Sequence, residues 1–208
     1  KVLYDKAIED FNKAIAIKPQ FVEALSCRGL AYYKKGLYDE AITDYTQAIA
    51  INPQSVEAYL GRGNAYDKTG RYDEAISDYN QVIAIKPQNA DAYFNRGLAY
   101  CEKGLYDEAI ADFNKSIAIN PQAADAYQGR GLAYYKKGLY AEAIADYTQA
   151  IAIKPRDAKA YYNKALALEK LGRTQDAADV YRQFLELSPS KDDERVEYAK
   201  EYVAKSGR

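Results

Sequence analysis

The sequence predicts an all-α fold, a solenoid of stacked helix–turn–helix units, and two sets of residues carry that prediction. Every proline recurs after 34 residues, and five glycines recur with the same period: Pro19, Pro53, Pro87, Pro121, Pro155 and Pro189; Gly36, Gly70, Gly104, Gly138 and Gly172. A fixed period in this range is typical of repeat proteins, whose units bury their apolar faces only against their neighbours.

Within one such unit, residues 90–123, the apolar residues are spaced as in two helices. They recur at i, i+7 and i+8 over 91–103 and follow a helical period again over 106–119. Gly104 falls where the first helix has to end, because glycine tolerates the left-handed conformation common at helix C-termini. Pro121 ends the second helix, since the residue before a proline is displaced from the helical region. Each unit is therefore predicted as a helix, a tight turn, a second helix and a proline-marked link.

The same unit carries an ordered set of residues, namely Tyr93, Arg96-Gly97, Tyr100, Ala109, Phe113 and Pro121. This order resembles the signature of the tetratricopeptide repeat, with tyrosine in place of tryptophan and arginine in place of leucine. The resemblance implies a right-handed α-solenoid, a superhelix, in a single domain. Its parts are the second helix of a partial repeat, five full repeats and a capping helix: 1–21, 22–55, 56–89, 90–123, 124–157, 158–191 and 192–208.

Composition argues against several classes of function. The net charge of −1, from 29 basic and 30 acidic residues, gives no basic stripe, so we expect no nucleic-acid partner. No apolar run approaches the length that spans a bilayer, so we expect no membrane partner. Histidine, the commonest general base and metal ligand, is absent, and we expect no catalysis, no metal and no cofactor. The chain has no methionine, so we expect a fragment or a processed form.

Two further sequence patterns bear on whether the chain carries chemistry. Cys27 and Cys101 lie two repeats apart, too far for a disulfide, so we expect free thiols, compatible with a reducing compartment such as the cytoplasm. Gly61-Arg62-Gly63, repeated at 129–131, begins like a phosphate loop. It lacks the third glycine and lies in the middle of a predicted helix, so we interpret it as part of the repeat packing.

A row of arginines recurs with a row of aspartates 16 residues later: Arg28, Arg62, Arg96 and Arg130; Asp44, Asp78, Asp112 and Asp146. In the fifth repeat both residue types change together, to Lys164 and Val180. This joint change favours an ion pair within each repeat over a row of guanidinium groups offered to a ligand. We expect the Arg96–Asp112 pair to be largely buried, so that Arg96→Leu destabilises the fold and Asp112→Val restores much of the loss.

The resemblance also implies that the first helices line a concave groove that binds peptide segments of partner proteins. The groove candidates on this chain are Tyr33, Leu60, Asn64, Asp67, Phe94, Asn95, Leu98, Cys101, Gln128, Leu132, Tyr135, Tyr162, Asn163 and Leu166. Phe94 is the expected central anchor, since aromatic residues supply much of the binding energy at interfaces. An acidic row at the edge of the groove, reversed at Lys159, favours a segment carrying Lys or Arg, although helix-start preference explains the row equally well: Glu23, Glu57, Asp91 and Asp125.

One subtype of the family binds the C-terminal carboxylate of chaperones through two asparagines and several basic residues. Asn64 and Asn95 match the two asparagines. The positions of the basic members are occupied by Leu60, Asp91, Asp125 and Gly129, so we expect no such clamp.

We therefore interpret the chain as a non-catalytic scaffold for protein–protein interaction. Two alternatives stay open at this point: the recognition arm of an enzyme whose catalytic domain lies elsewhere, and a self-assembling structural module. Residues 1–21 lack a first helix to cover Ile8, Phe11 and Ile15, which predicts weak self-association through this partial repeat.

Overall fold

The computed structural model describes residues 2–188 and 194–206, and within these ranges the chain forms helices and no strands. The helices run over α1 Val2–Ile17, α2 Val22–Lys35, α3 Tyr38–Ile51, α4 Val56–Lys68, α5 Tyr72–Ile85, α6 Ala90–Glu102, α7 Tyr106–Ile119, α8 Ala124–Lys136, α9 Tyr140–Ile153, α10 Ala158–Lys170, α11 Thr174–Leu187 and α12 Glu194–Ser206. The second helix predicted over 106–119 is confirmed to the residue, and the first lies one residue earlier than predicted. The outer bounds predicted at 1, 191, 192 and 208 fall outside the described residues.

The turn between the two helices of a repeat depends on its glycine. Gly36 has φ 82° and ψ 12°, a left-handed conformation, and its N–H bonds to the carbonyl oxygen of Tyr33 at 3.0 Å. The next N–H, of Leu37, reaches back to the carbonyl of Tyr32 at 2.9 Å, so the last turn of α2 is closed by hydrogen bonds. The four equivalent glycines also have positive φ, which confirms the predicted turns.

The chain divides into two compact units, 1–104 and 105–208. In the first unit α1 packs on α2, and each later helix up to α6 packs on the one before it. In the second unit the same holds from α7 to α12. Each unit is thus an all-α stack of helix–turn–helix repeats, as an α-solenoid requires. The boundary lies within the predicted third repeat, and the single solenoid domain stays a prediction.

The core is built where the aromatic ring of a second helix meets glycines of the first helices. A Cβ added at Gly61 would lie 2.3 Å from Cζ of Tyr45, and one added at Gly63 would lie 2.7 Å from Cε1 of Tyr79. Both tyrosines are almost fully buried. The Gly61-Arg62-Gly63 run is therefore a packing element within α4, as predicted, because its glycines make room for two rings.

The apolar face of α1 is better covered than the sequence suggests. Ile8 is buried, and Phe11 and Ile15 are half-buried, because α2 packs against this helix. The expectation that these three residues lack cover is therefore wrong for Ile8. The large exposed apolar residues of α1 are Leu3 and Ile17, and self-association through this segment stays a prediction.

Candidate functional site

The arginine–aspartate pairs are confirmed in the three repeats where both partners belong to one unit. Arg62 donates from Nε to Oδ2 of Asp78 and from Nη2 to Oδ1, both at 2.8 Å, and only 17% and 4% of the two side chains are exposed. The pairs Arg28–Asp44 and Arg130–Asp146 have the same two-bond geometry. Hydrogen bonding to Asp78 raises the pKa of Arg62 above its ordinary value. The Arg96–Asp112 pair stays a prediction.

The remaining guanidinium nitrogen reaches the preceding repeat. Nη1 of Arg28 donates to Oδ1 of Asn12 at 2.6 Å, and Nη1 of Arg62 donates to Oγ1 of Thr46 at 3.1 Å. The guanidinium of Arg62 also lies over the rings of Tyr59 and Tyr66. These arginines are thus occupied in joining repeats, which argues against a row of guanidinium groups offered to a ligand.

A first cleft, hereafter the polar cleft, lies in the first unit and has a volume of about 440 Å³. Its walls come from α2, α4, α5 and α6, and they are Tyr33, Asn64, Asp67, Lys68, Tyr72, Asn95, Leu98, Ala99 and Glu102. Five of the predicted groove residues, from three different repeats, are therefore brought together here. Phe94 is half-buried and is not part of these walls.

Two amides at this cleft are paired with each other and keep one polar group each. Oδ1 of Asn64 accepts from Nδ2 of Asn95 at 2.9 Å and lies 2.8 Å from the hydroxyl of Tyr79. The other amide groups, Nδ2 of Asn64 and Oδ1 of Asn95, make no hydrogen bond to a described residue. The cleft thus presents one donor and one acceptor, the pair of groups that an extended peptide backbone complements.

Asp67 is the charged group of the polar cleft with the most perturbed environment. Its Oδ2 lies 2.6 Å from the hydroxyl of Tyr79, whereas its Oδ1 is buried and has no partner among the described residues. Burial raises the pKa of Asp67 to about 6, with Glu102 raising it further and with Tyr79 and Lys68 opposing the shift.

A second cleft, hereafter the apolar cleft, lies beside the first and has a volume of about 490 Å³. Val22, Leu30, Leu60 and the ring of Tyr45 give it aliphatic and aromatic walls. Asn64 belongs to both clefts, so the two are neighbours on one face of the first unit. Two members of the predicted acidic row also line it, Glu23 and Glu57.

Two candidate residues of the second unit, Gln128 and Tyr162, are engaged in contacts within that unit. Gln128 is 8% exposed, and its Nε2 donates to Oδ2 of Asp157, the N-cap of α10, at 2.8 Å. Tyr162 packs its ring against those of Tyr181 and Phe184. The others range from half-buried to exposed, with Leu132 37% exposed: Leu132, Tyr135, Asn163 and Leu166.

Sequence reasoning missed several residues of the two clefts. Tyr72 lines the polar cleft from the start of a second helix, whereas the predicted groove residues all lie on first helices. Glu102 and Lys68 lie one residue beyond the candidates Cys101 and Asp67, at the ends of their helices. The missed residues of the apolar cleft include Leu30, and its 49% exposure marks an apolar side chain that the core does not use.

Both cysteines are free, as predicted, and burial raises the pKa of the Cys101 thiol to about 11. Across residues 2–188 and 194–206, His, Cys, Asp and Glu form no group of three that could hold a metal ion. Over the same ranges, none of the helices combines the length and apolar character needed to cross a membrane.

Comparisons with known proteins agree with the repeat pattern. The family model described as "TPR repeat" matches residues 4–36, 31–70, 63–104 and 97–138, and the model described as "Tetratricopeptide repeat" matches residues 129–192. No curated protein matches the chain significantly.

Solved structures of several repeat proteins are similar. A crystal structure of MamA is 30% identical, covers 80% of this chain and 91% of its own, and superposes with a TM-score of 0.73. The C-terminal part of a TPR repeat-containing protein from Cytophaga hutchinsonii is 24% identical, with 98% of this chain and 83% of that chain covered and a TM-score of 0.81. YrrB, described as a TPR protein with an unusual peptide-binding site, is 19% identical. The match covers 93% of this chain and 99% of YrrB, with a TM-score of 0.74. The last two likenesses concern the fold alone.

Proposed function

The chain belongs to the tetratricopeptide repeat family, and from this premise we propose that it is a non-catalytic scaffold that binds an extended peptide segment of a partner protein. The binding surface is the pair of clefts on the first unit. The observation that carries the proposal is that the clefts adjoin at Asn64, one with free amide groups and the other with aliphatic walls.

The two clefts offer different contacts to such a segment. Nδ2 of Asn64 and Oδ1 of Asn95 hold one peptide unit of its backbone. A neighbouring apolar side chain fills the apolar cleft and removes surface of Leu30 and Leu60 from water. This burial contributes about 25 cal/mol per Å², against which the entropic cost of association is set. Phe94 extends the surface on α6 as an aromatic contact at the next repeat.

A displayed library of random peptides, panned against the full chain, tests the proposal. Enriched peptides are synthesised with a fluorophore, and their affinities are measured by fluorescence anisotropy. We expect Leu30→Glu to weaken the selected peptides about tenfold or more, because it places a charge in the apolar cleft. The matched control is Leu171→Glu, since Leu171 is 44% exposed and lines neither cleft.

The melting temperatures of both variants are recorded alongside, because exposed positions should tolerate the change. Enriched peptides that bind Leu30→Glu and Leu171→Glu equally well would place the binding surface elsewhere. Panning that enriches no peptide above a chain-free surface would reject peptide binding itself.

A further inference from the structure

The Asp67 carboxylate is short of hydrogen-bond donors. The Tyr79 hydroxyl lies within hydrogen-bond distance of both Oδ2 of Asp67 and Oδ1 of Asn64, but a phenol has one proton and donates it to one acceptor at a time. Oδ1 of Asp67 has no donor among the described residues. A buried carboxylate oxygen without a donor costs free energy, so a ligand that supplies one gains the corresponding stabilisation.

The same carboxylate position occurs once more in the chain with its donors complete. Asp67 and Glu169 are each the twelfth residue of their repeats, and Tyr79 and Tyr181 follow each of them twelve residues later. The Tyr181 hydroxyl donates to Oε1 of Glu169, and the hydroxyl of Tyr198 on α12 donates to Oε2 at 2.9 Å. In the second unit, the capping helix therefore supplies the donor that Asp67 lacks in the first.

The walls around Asp67 suit a cation. Glu102 adds a second carboxylate, and the rings of Tyr33 and Tyr72 present aromatic surface of the kind that attracts ammonium and guanidinium groups. Lys68 is the cationic side chain of the cleft, and it adjoins Asp67 in sequence. Lys68 lowers the pKa of Asp67 through its charge but forms no ion pair with the carboxylate, because neighbouring residues of a helix do not face each other, so this place is left to a ligand.

We infer that the polar cleft is a subsite for a basic side chain, Lys or Arg, of the partner segment, with Asp67 as its acceptor. The terminal torsion of an aspartate is broad, so a small rotation turns Oδ1 toward the cleft while Tyr79 keeps Oδ2. This inference rests on the proposed function, because it names which residue of the peptide the scaffold recognises.

The test uses small probes in place of a peptide, so that it does not depend on the library. N-acetyl-arginine amide and N-acetyl-lysine amide are titrated into the ¹⁵N-labelled full chain, with N-acetyl-citrulline amide as the uncharged analogue of the first. We expect saturable shifts of the resonances of Asp67, Asn95 and Glu102 with both basic probes. N-acetyl-citrulline amide should bind at least about tenfold more weakly than the arginine probe, since a hydrogen bond to a charged group contributes about 1.5–3 kcal/mol.

Three variants localise the effect. Asp67→Asn keeps the shape of the side chain and should abolish the shifts, whereas Asp39→Asn removes an exposed carboxylate that lines neither cleft and should leave them unchanged. Glu102→Gln should give a smaller loss. Equal binding of citrulline, undiminished binding to Asp67→Asn, or no shifts with either basic probe would overturn the subsite. Peptides enriched from the library without Lys or Arg would leave the proposed function standing and reject the subsite alone.

Discussion

The second and fifth repeats place the same tyrosine–carboxylate pair in opposite circumstances. In the fifth, the tyrosines of α11 and α12 satisfy both oxygens of Glu169, and the ring of Tyr198 packs edge-on against Tyr181. In the second, Asp67 lines the polar cleft, and its buried Oδ1 has no partner among the described residues. A carboxylate at the same repeat position therefore has donors for both oxygens where α12 covers it, and a donor for one oxygen where a cleft adjoins it.

The two repeats also differ in how their helices are joined. Arg62 and Asp78 form a two-bond ion pair, whereas Lys164 and Val180 take these places in the fifth repeat. Lys164 makes no ion pair with a described residue, and burial lowers its pKa below the ordinary value. The fifth repeat thus lacks the buried anion as well as the guanidinium.

The largest loss of stability is expected when Asp78 of the second repeat is replaced by valine, the residue that the fifth repeat has at this position, Val180. Asp78→Val leaves the guanidinium of Arg62 without its partner and should lower the free energy of unfolding by about 3–5 kcal/mol. Arg62→Leu combined with Asp78→Val should recover much of that loss, because two apolar side chains replace the pair. Urea denaturation of the single and double variants measures both values. Mild and additive losses would show that the pair contributes no more than a surface pair.

The next effect concerns Gly63, the glycine of α4 that packs against the ring of Tyr79. Gly63→Ala should destabilise by about 1–3 kcal/mol, because the added Cβ lies 2.7 Å from the ring of Tyr79, whose hydroxyl is held at Asn64 and Asp67. The fifth repeat carries Ala165 at this position, buried in one cluster with Tyr181. The reverse change, Ala165→Gly, should cost about 1 kcal/mol through backbone entropy. Thermal denaturation that ranks the two changes the other way would contradict this packing argument.

The open carboxylate should be visible in the pH dependence of stability. The native pKa of Asp67 is raised to about 6 from 3.8, so the native state binds a proton in this window that the unfolded chain does not. Wild type should therefore gain stability relative to Asp67→Asn as the pH falls through about 6, with the gain complete below 3.8. The expected gain is about 1–2 kcal/mol, because solvent screening at the partly exposed side chain reduces the full value.

The titratable side chains that interact with this carboxylate are Lys68, Tyr79, Glu102 and Tyr33, and Tyr72 lines the same cleft. Urea titrations at pH 7 and pH 4.5 measure the difference, with Asp39→Asn as the exposed control. A difference between wild type and Asp67→Asn that does not change with pH would show that Asp67 titrates as in the unfolded chain.

The smallest effect is expected when Glu169 loses the hydrogen bond from Tyr198 on α12. Tyr198→Phe removes the hydroxyl that donates to Oε2 of Glu169 and keeps the ring contact with Tyr181. Because Tyr198 is 45% exposed, the loss should be about 1 kcal/mol, which is less than the roughly 1.5–3 kcal/mol of a hydrogen bond to a charged group. Thermal denaturation measures it, and Tyr161→Phe, which removes a hydroxyl bonded to the carbonyl of Pro155, is the matched control.

Much of the fold was predictable because local rules set it. The 34-residue period gave the helices and turns, and the joint change at Lys164 and Val180 pointed to the ion pairs. The clefts were only partly predictable, since their walls depend on how repeats stack. Tyr72 lines the polar cleft from a second helix. The side chain of Gln128 is held by a hydrogen bond to Asp157, 29 residues away in sequence. No periodicity within one repeat contains that information.

The arginines that reach back to the preceding repeat bear on how the chain opens. A repeat protein unfolds as a row of units, and its cooperativity depends on the free energy between neighbours. Arg28, Arg62 and Arg130 each tie a repeat to the one before it within its own unit, whereas Lys164 makes no such bond to a described residue. The junction between the fourth and fifth repeats therefore lacks this bond among the described residues and is held by apolar packing, with Ala160 and Ala167 buried against α9. Amide hydrogens of α10 and α11 should exchange with deuterated solvent before those of α8 and α9, so that this unit frays from its C-terminal side.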